Sequence, residues 1–335
     1  MNLATIQTIK NLIPISGADR IELAELEGKG WKVIVQKGLY KPGDLVIFVE
    51  PDTWVPHDVA PFLTKGKPKF YNGVVGNRLR PVKMKGVLSV GLILPLSLLK
   101  KEVQKGDDVT SDLGIQKWEK PIDITIKGEP QGPMPYYIPK TDEINLQSKP
   151  ELLDEFKKID GDIYITEKID GTSATFFYYE AKFNVCSRNY IIKYGENAYW
   201  EIEKKYRIGD KLKYSKMEIA IQGEIFGEKI QTNPLGIRGI DFMVFDIFDV
   251  PGQKYLGFDE IVSICKELGL KTVPLIYEGE FKKDWNIDYL VSMSSGCYAN
   301  TNTQREGIVV RPKKYTFCDL IKRKLSMKVL NPNYE

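Results

Sequence analysis

Histidine is almost missing from this chain: His57 is the only one in 335 residues. Cysteine is sparse too, and Cys186, Cys265, Cys297 and Cys318 never fall in C-x-x-C spacing. Together these shortages argue against a zinc site and a disulfide framework, and they suit a reducing cytoplasm. No apolar run approaches bilayer-spanning length. The start, Met1-Asn2-Leu3-Ala4-Thr5-Ile6-Gln7, lacks the basic region and apolar stretch of a signal peptide. The net charge of +3 is small, so attraction to a polyanion must come from local clustering. There is no internal repeat and no low-complexity tract. What is present, 42% apolar and 28% charged residues, is ordinary globular composition in a chain long enough for two domains.

From Thr5 to Leu98 short β-rich runs alternate with Gly/Pro turns. The clearest strands are Trp31–Gln36, Leu45–Val49 and Val90–Leu94, with Tyr40-Lys41-Pro42-Gly43-Asp44 as a turn. Many short strands with little helical periodicity predict a small sandwich or barrel. Within it, Arg78 and Arg80, then Lys83 and Lys85, recur with period 2 and so project from one face of an extended segment. Such a cationic face suits a nucleic-acid backbone; a solubilising edge strand is the other reading. His57, in a loop-like stretch, reads as structural, with phosphate or base contact as the alternative.

Between Ser111 and Pro139 proline and glycine become dense, which marks a connection between domains. Pro150–Ile159 then carries Leu152, Leu153, Phe156 and Ile159 along one helical side. After it, Asp162–Ile165 and Ala174–Tyr179 read as two strands around Lys168-Ile169-Asp170-Gly171. Period 2 puts Lys168 and Asp170 on one side. A lysine held beside an acid can serve as a nucleophile if burial or a nearby cation lowers its pKa. A charged hairpin with Asp-Gly at the turn is the plainer alternative. Further on come Ser187-Arg188-Asn189, a strand leading to Glu224, the β run Asp241–Asp249, a helix from Phe258 to Leu268 ending near Gly269, Arg305-Glu306-Gly307-Ile308-Val309, and Ile321-Lys322-Arg323-Lys324.

In this order, the segments resemble the nucleotidyltransferase motifs of ATP-dependent ligases and mRNA capping enzymes. The small β domain placed first, with almost nothing after Lys328, is similar to RNA ligases of the Naegleria and Deinococcus type. The Arg80–Lys83 and Pro139–Glu143 segments resemble that family as well. The resemblance implies an α+β chain with three parts: an oligonucleotide-binding (OB-like) β-barrel domain over 1–115, a linker over 116–137, and over 138–335 an adenylyltransferase (ligase) domain, ATP-grasp-like, of antiparallel sheets plus helices.

The resemblance also implies a chemistry. Lys168 would attack the α-phosphorus of ATP to give lysyl-AMP. The adenylate would pass to a 5′-phosphate, and a 3′-hydroxyl would then displace AMP, in nick sealing or RNA repair. Lys322 and Lys324 would join Lys168 as catalytic residues by placing charge at the α-phosphate and leaving group; Lys328 can be aligned instead of them. Asp170 and Glu306 would hold a divalent cation, Mg or Mn, through its waters. Glu167, Ile169, Arg188 and Glu224 would line the nucleotide site, with the purine between Phe242 and Val309. Arg78, Arg80, Lys83 and Lys85 would contact RNA or an RNA-containing nicked duplex. A cytoplasmic monomer with no membrane partner is expected. The alternatives are a GTP-using capping enzyme, a DNA ligase, or a nucleic-acid-binding protein with inactive transferase motifs.

Overall fold

The computed structural model describes residues 2–118, 127–299 and 301–334, without the Lys83 side chain. The chain divides into two units, Met1–Lys120 with Gln147–Pro150, and Pro121–Leu146 with Glu151–Glu335. The linker expected over 116–137 lies partly outside the described residues.

In the first unit five antiparallel strands run in the order Leu92–Leu94, Leu45–Val49, Ala4–Pro14, Ile21–Leu26, Lys32–Gln36. The long first strand serves two partners. Residues Ala4–Thr8 pair with Leu45–Val49, and beyond a bulge near Ile9 the strand pairs with Ile21–Leu26. The open edges then meet: Val90 N–H donates to Lys32 O (2.9 Å) and Ile34 N–H to Ser89 Oγ (2.9 Å), which curls the sheet into a barrel. Ile9, Trp31, Val33, Phe48 and Ile93 fill one cluster of its core. A second sheet, ordered Gln116–Lys117, Thr53–Pro56, Val74–Arg78, Lys69–Tyr71, leaves Lys69–Tyr71 at an edge.

The second unit contains two larger sheets. One is centred on Thr172–Tyr179, Ile219–Gly227 and Ile240–Asp249. Its inner face packs Phe176, Ile221, Phe242 and Val244 against the helices Ala198–Tyr206, Ile208–Ser215 and Phe258–Leu268. The Pro-rich stretch does more than connect: Pro130–Pro133 adds a strand at the edge of this sheet, where residues without an N–H are tolerated. The other sheet has the order Leu275–Glu280, Asp162–Lys168, Gly307–Pro312, Met327–Leu330. One face buries Ile163, Ile165, Ile308, Val310, Met327 and Val329 against the helices Leu152–Lys157 and Ile287–Ser294.

Strand registers define the opposite face of that sheet. Lys168 lies across from Gly307, Thr166 from Val309 and Tyr164 from Arg311, while Val309 also faces Lys328. Paired residues project to the same side, so Tyr164, Thr166, Lys168, Val309, Arg311 and Lys328 share one surface. Apolar alternation on one side of three strands thus leaves the charged residues together on the other.

Candidate active site

Lys168 ends its strand with its amine on Glu306 Oε2 at 2.5 Å. Two glycines allow this geometry. A Cβ at Gly171 would meet Ile225 O at 2.2 Å, and at Gly307, whose φ is +156°, one would meet Val329 O at 2.3 Å. Glu224 comes from the neighbouring sheet, across from Ser173 and Met243. One amine therefore faces Glu306, Glu224 and Asp170.

This imbalance sets the titration of the site. Burial and the neighbouring carboxylates push Glu224 up to about 8, against the pull of Lys168. Glu306 is raised as well, by burial first and by Asp170. Burial alone would lower Lys168, but Glu306, Glu224 and Asp170 overcome it and leave its pKa above the ordinary lysine value. The sequence suggests a lysine with a lowered pKa; the structure surrounds it with acids instead. Among the described residues, no three His, Cys, Asp or Glu side chains converge to hold a metal by themselves. The donor set nevertheless fits a hard dication that keeps its waters and meets carboxylates through them, since such an ion would relieve three mutually repelling acids.

Two tyrosines hold the acids in place. The Tyr298 hydroxyl donates to Lys168 O (3.0 Å) and accepts from the N–H groups of Asp170 (3.2 Å) and Glu306 (3.1 Å). One donor and two acceptor positions exhaust a phenol's capacity, so this single buried oxygen ties together the backbones of three site residues. Tyr334 donates to Asp170 Oδ2 at 2.5 Å. Asn331 anchors the segment that carries Tyr334, donating to Arg305 O (2.8 Å) and Gln304 Oε1 (3.1 Å). Neither tyrosine stands out in the local sequence, because the contacts to Lys168 and Asp170 span more than a hundred positions.

Further along the same face a second cluster is built with matched charge. Arg311 pairs with Glu143 (2.7 Å) and approaches Asp246 (3.8 Å), and Lys324 sits on Asp246. Ser326 donates to Glu143. Despite burial, Arg311, Lys324 and Ser326 hold Glu143 down to about 2. Arg188 pairs with Asp142 at 2.5 Å. Thr141 meets Ser173 (2.6 Å) and Gln222 donates to Pro139 O (2.8 Å), so the polar Pro139–Glu143 segment lies along the large sheet.

Other expected site residues are placed as follows. Val309 stands on the Lys168 face, paired with Thr166. Ile169 is buried with Phe226, Val273 and Tyr298. Glu167 turns to the opposite side from Lys168 and lies 3.5 Å from Arg305. Arg305 also donates to the carbonyls of Met293, Ser294 and Ser295, closing the helix end there. Phe242 is not a cleft residue: it is fully buried, edge-on to Phe176, and its ring occupies the space where a Cβ on Gly223 would go. The aromatic on the exposed side of that strand is Phe245, 6.0 Å from the Arg311 guanidinium. Lys322 and Lys324 do not share a strand. Lys322 sits at φ 53° in a turn, exposed and paired with Asp319 (3.0 Å), and only Arg323–Lys324 is extended. Lys328, by contrast, is on the site face, and its charge acts on Glu306.

In the first unit three of the four expected cations, Arg78, Arg80 and Lys85, have described side chains, and they sit in different settings. Arg78 ends its strand, is paired to Asp52 at 2.5 Å, and lies over the Trp118 ring at 3.7 Å. Arg80 is exposed. Lys85, also exposed, and Gly86 form a two-residue turn, both at positive φ, between Val82–Met84 and Val87–Ser89. The Lys83 side chain lies outside the described residues.

Comparison with known proteins finds both units in families already described. A family model described as RNA ligase matches residues 161–330, and one described as an OB-fold domain matches residues 3–96. An apo mutant of Naegleria gruberi RNA ligase is similar at 33% identity and TM-score 0.88, covering 99% of this chain and 96% of that one. A mutant of the same ligase with ATP and Mn (TM-score 0.87, 33% identity, 99% and 97% covered) and the ligase with PPi (TM-score 0.85, 33% identity, 99% and 97% covered) are similar as well. No curated protein matches the chain.

Proposed function

Because the chain belongs to the RNA ligase family, we propose that it uses ATP to join a 3′-hydroxyl to a 5′-phosphate end of RNA, in nick sealing or repair. The observation that carries this reading is the Lys168 amine on Glu306 Oε2, on a sheet face that also bears Val309 and Lys328. Lys168 Nζ attacks the α-phosphorus of ATP; the N–P bond forms as the bond to the bridging oxygen breaks, and pyrophosphate leaves. The attacking amine must be neutral, and Glu306 Oε2 stands in place to take its proton. The adenylate then passes to the 5′-phosphate, which frees the lysine, and the 3′-hydroxyl displaces AMP.

Val309 and Phe245 form the purine slot, with Phe245 in the place the sequence suggests for Phe242. Lys328 replaces Lys322 as the second amine at the α-phosphate. Asp170, Glu306 and Glu224 would hold the cation through its waters, and Arg188 would contact ribose or phosphate. A divalent cation, magnesium or manganese, supplies charge that offsets the phosphate and weakens the acids' hold on the Lys168 proton. The protein works as a cytoplasmic monomer. Among the described residues no helix is long and apolar enough to cross a membrane.

Incubation with labelled ATP and a divalent cation, without nucleic acid, tests the reading. Label should remain on the denatured protein and be absent from Lys168→Ala. Label from GTP instead would place the chain with the capping enzymes, and no label from either nucleotide would overturn the ligase reading.

A further inference from the structure

The edge of the small sheet in the first unit combines features that its packing does not require. In the three-residue edge strand Lys69–Tyr71, Phe70 is 72% exposed. Its cross-strand partner Val75 is 48% exposed, and paired residues share a face. Phe62, in the neighbouring 3-10 turn Pro61–Thr64, is 61% exposed. Lys65, Lys67 and Lys69 are exposed in the same stretch, and the sequence contains no Asp or Glu from Val59 to Lys101.

Beneath this surface the backbone is firmly held. Trp54 Nε1 donates to Val74 O (3.1 Å), and its ring lies 5.2 Å from that of Tyr71. Asn77 donates to Leu63 O (2.7 Å), and His57 N–H to Val75 O (2.9 Å). Exposed lysines on an edge strand can be explained as protection against aggregation. An outward phenylalanine on a rigid edge cannot, because it adds the hazard the lysines would remove.

We propose that this edge is a platform for single-stranded RNA: a base stacks on Phe70 beside Val75, and Lys65, Lys67 and Lys69 follow the phosphates. Every base offers a face to an aromatic ring, and cations beside such rings suit a flexible strand. The long acid-free stretch favours a polyanion over an apolar protein partner. The platform does not use Arg78, which ends the Val75 strand and whose charge is already engaged by Asp52 and Trp118. The inference rests on the RNA ligase reading, because it assigns that enzyme's strand a place on the first unit.

The test uses the full chain, a fluorescent oligouridylate of about 12 nucleotides, a length within the span that such surfaces cover, and binding read by anisotropy. Phe70→Ala should weaken binding roughly 5- to 100-fold, the range for losing one base–aromatic stack. Replacing Lys65, Lys67 and Lys69 with Ser should lower the slope of log K against log salt by about 2, at roughly 0.7 per phosphate contact on a single strand. Autoadenylylation should be unchanged in both variants, which also shows that they fold. Unchanged affinity and slope in variants that still take AMP would overturn the platform. A wild-type dimer that Phe70→Ala dissociates, with RNA affinity intact, would overturn it too and make this edge a self-association surface. Absence of AMP labelling in the wild-type chain would instead defeat the ligase reading on which the proposal rests.

Discussion

Lys168 and Arg311 stand on one face of the same sheet, yet their surroundings follow opposite rules. Around Arg311 and Lys324 the acids Glu143 and Asp246 match the cations in number, and Glu143 is held down to about 2. Around Lys168 the three acids Glu306, Glu224 and Asp170 outnumber the amines of Lys168 and Lys328, and Glu224 is pushed up to about 8. A cluster with matched charge neutralises itself and ties its strands together. One with surplus acid is poised for something positive from outside, which is what a cation-dependent nucleotide site requires. The contrast yields measurements that can break it.

The largest difference should be in stability. Arg311→Met takes the closest cation from buried Glu143 while Lys324 stays on Asp246, and loss of one partner from a buried ion pair costs about 3–5 kcal/mol. Glu306→Gln relieves repulsion in the acid-rich site and should leave the urea midpoint unchanged or raised. Equal losses in the two variants would erase the distinction.

The pH response comes next, and the two regions have opposite signs. Glu143 falls from an ordinary 4.5 to about 2 on folding. Its contribution is therefore present above about 4.5 and lost as pH falls toward 2, on the order of 3 kcal/mol across that window. Glu224 rises from 4.5 to about 8. The folded state keeps a proton that the unfolded state has released, so this group lowers stability as pH climbs from about 4.5 to 8. Urea unfolding across pH should show Glu143→Gln flattening the acid limb and Glu224→Gln flattening the neutral one.

Among the lysines, Lys328→Ala should slow autoadenylylation by about 10²-fold, the scale of removing one preorganised charge donor. Exposed Lys322→Ala should stay within roughly threefold of wild type, as expected for a surface pair. The reverse order would return the α-phosphate contact to the Lys322 turn.

Tyr298→Phe is a more selective change. It leaves two N–H groups and a carbonyl without their shared partner, at about 1–3 kcal/mol each if unrelieved. If the hydroxyl positions the acids, the variant should need more divalent cation for half-maximal rate and lose about tenfold in kcat, with KM for ATP held. A fall in melting temperature alone, with normal kinetics in the folded fraction, would reduce Tyr298 to a packing role.

How much of this the sequence revealed follows from how local each feature is. Lys168, Asp170, Glu224 and Glu306 were legible because they sit in short segments bounded by strands, and the barrel was legible from its alternating runs and turns. Phe242 and Phe245 were not separable. Alternation puts Phe242 with Val244 and Met243 with Phe245 without saying which pair faces the core, and the bulge opposite Gln222 and Gly223 then shifts the pattern toward Asp246. Lys322, Lys324 and Lys328 share parity, so only the turn at Lys322 and the strand break before Met327 distinguish them. Glu143 stands in a short polar segment, Pro139–Glu143, that gives no local sign of burial. Its burial depends on Arg311 and Ser326, more than 150 positions away.

Lys168 is expected to carry AMP, and the direct measurement is to find the adduct. The full chain is incubated with ATP and manganese, digested, and its peptides are mapped by mass spectrometry. The AMP mass should lie on the peptide containing Lys168 and nowhere else. Its presence on a peptide containing Lys324 or Lys328, with Lys168 unmodified, would contradict the assignment of the acid-rich cluster as the reactive centre.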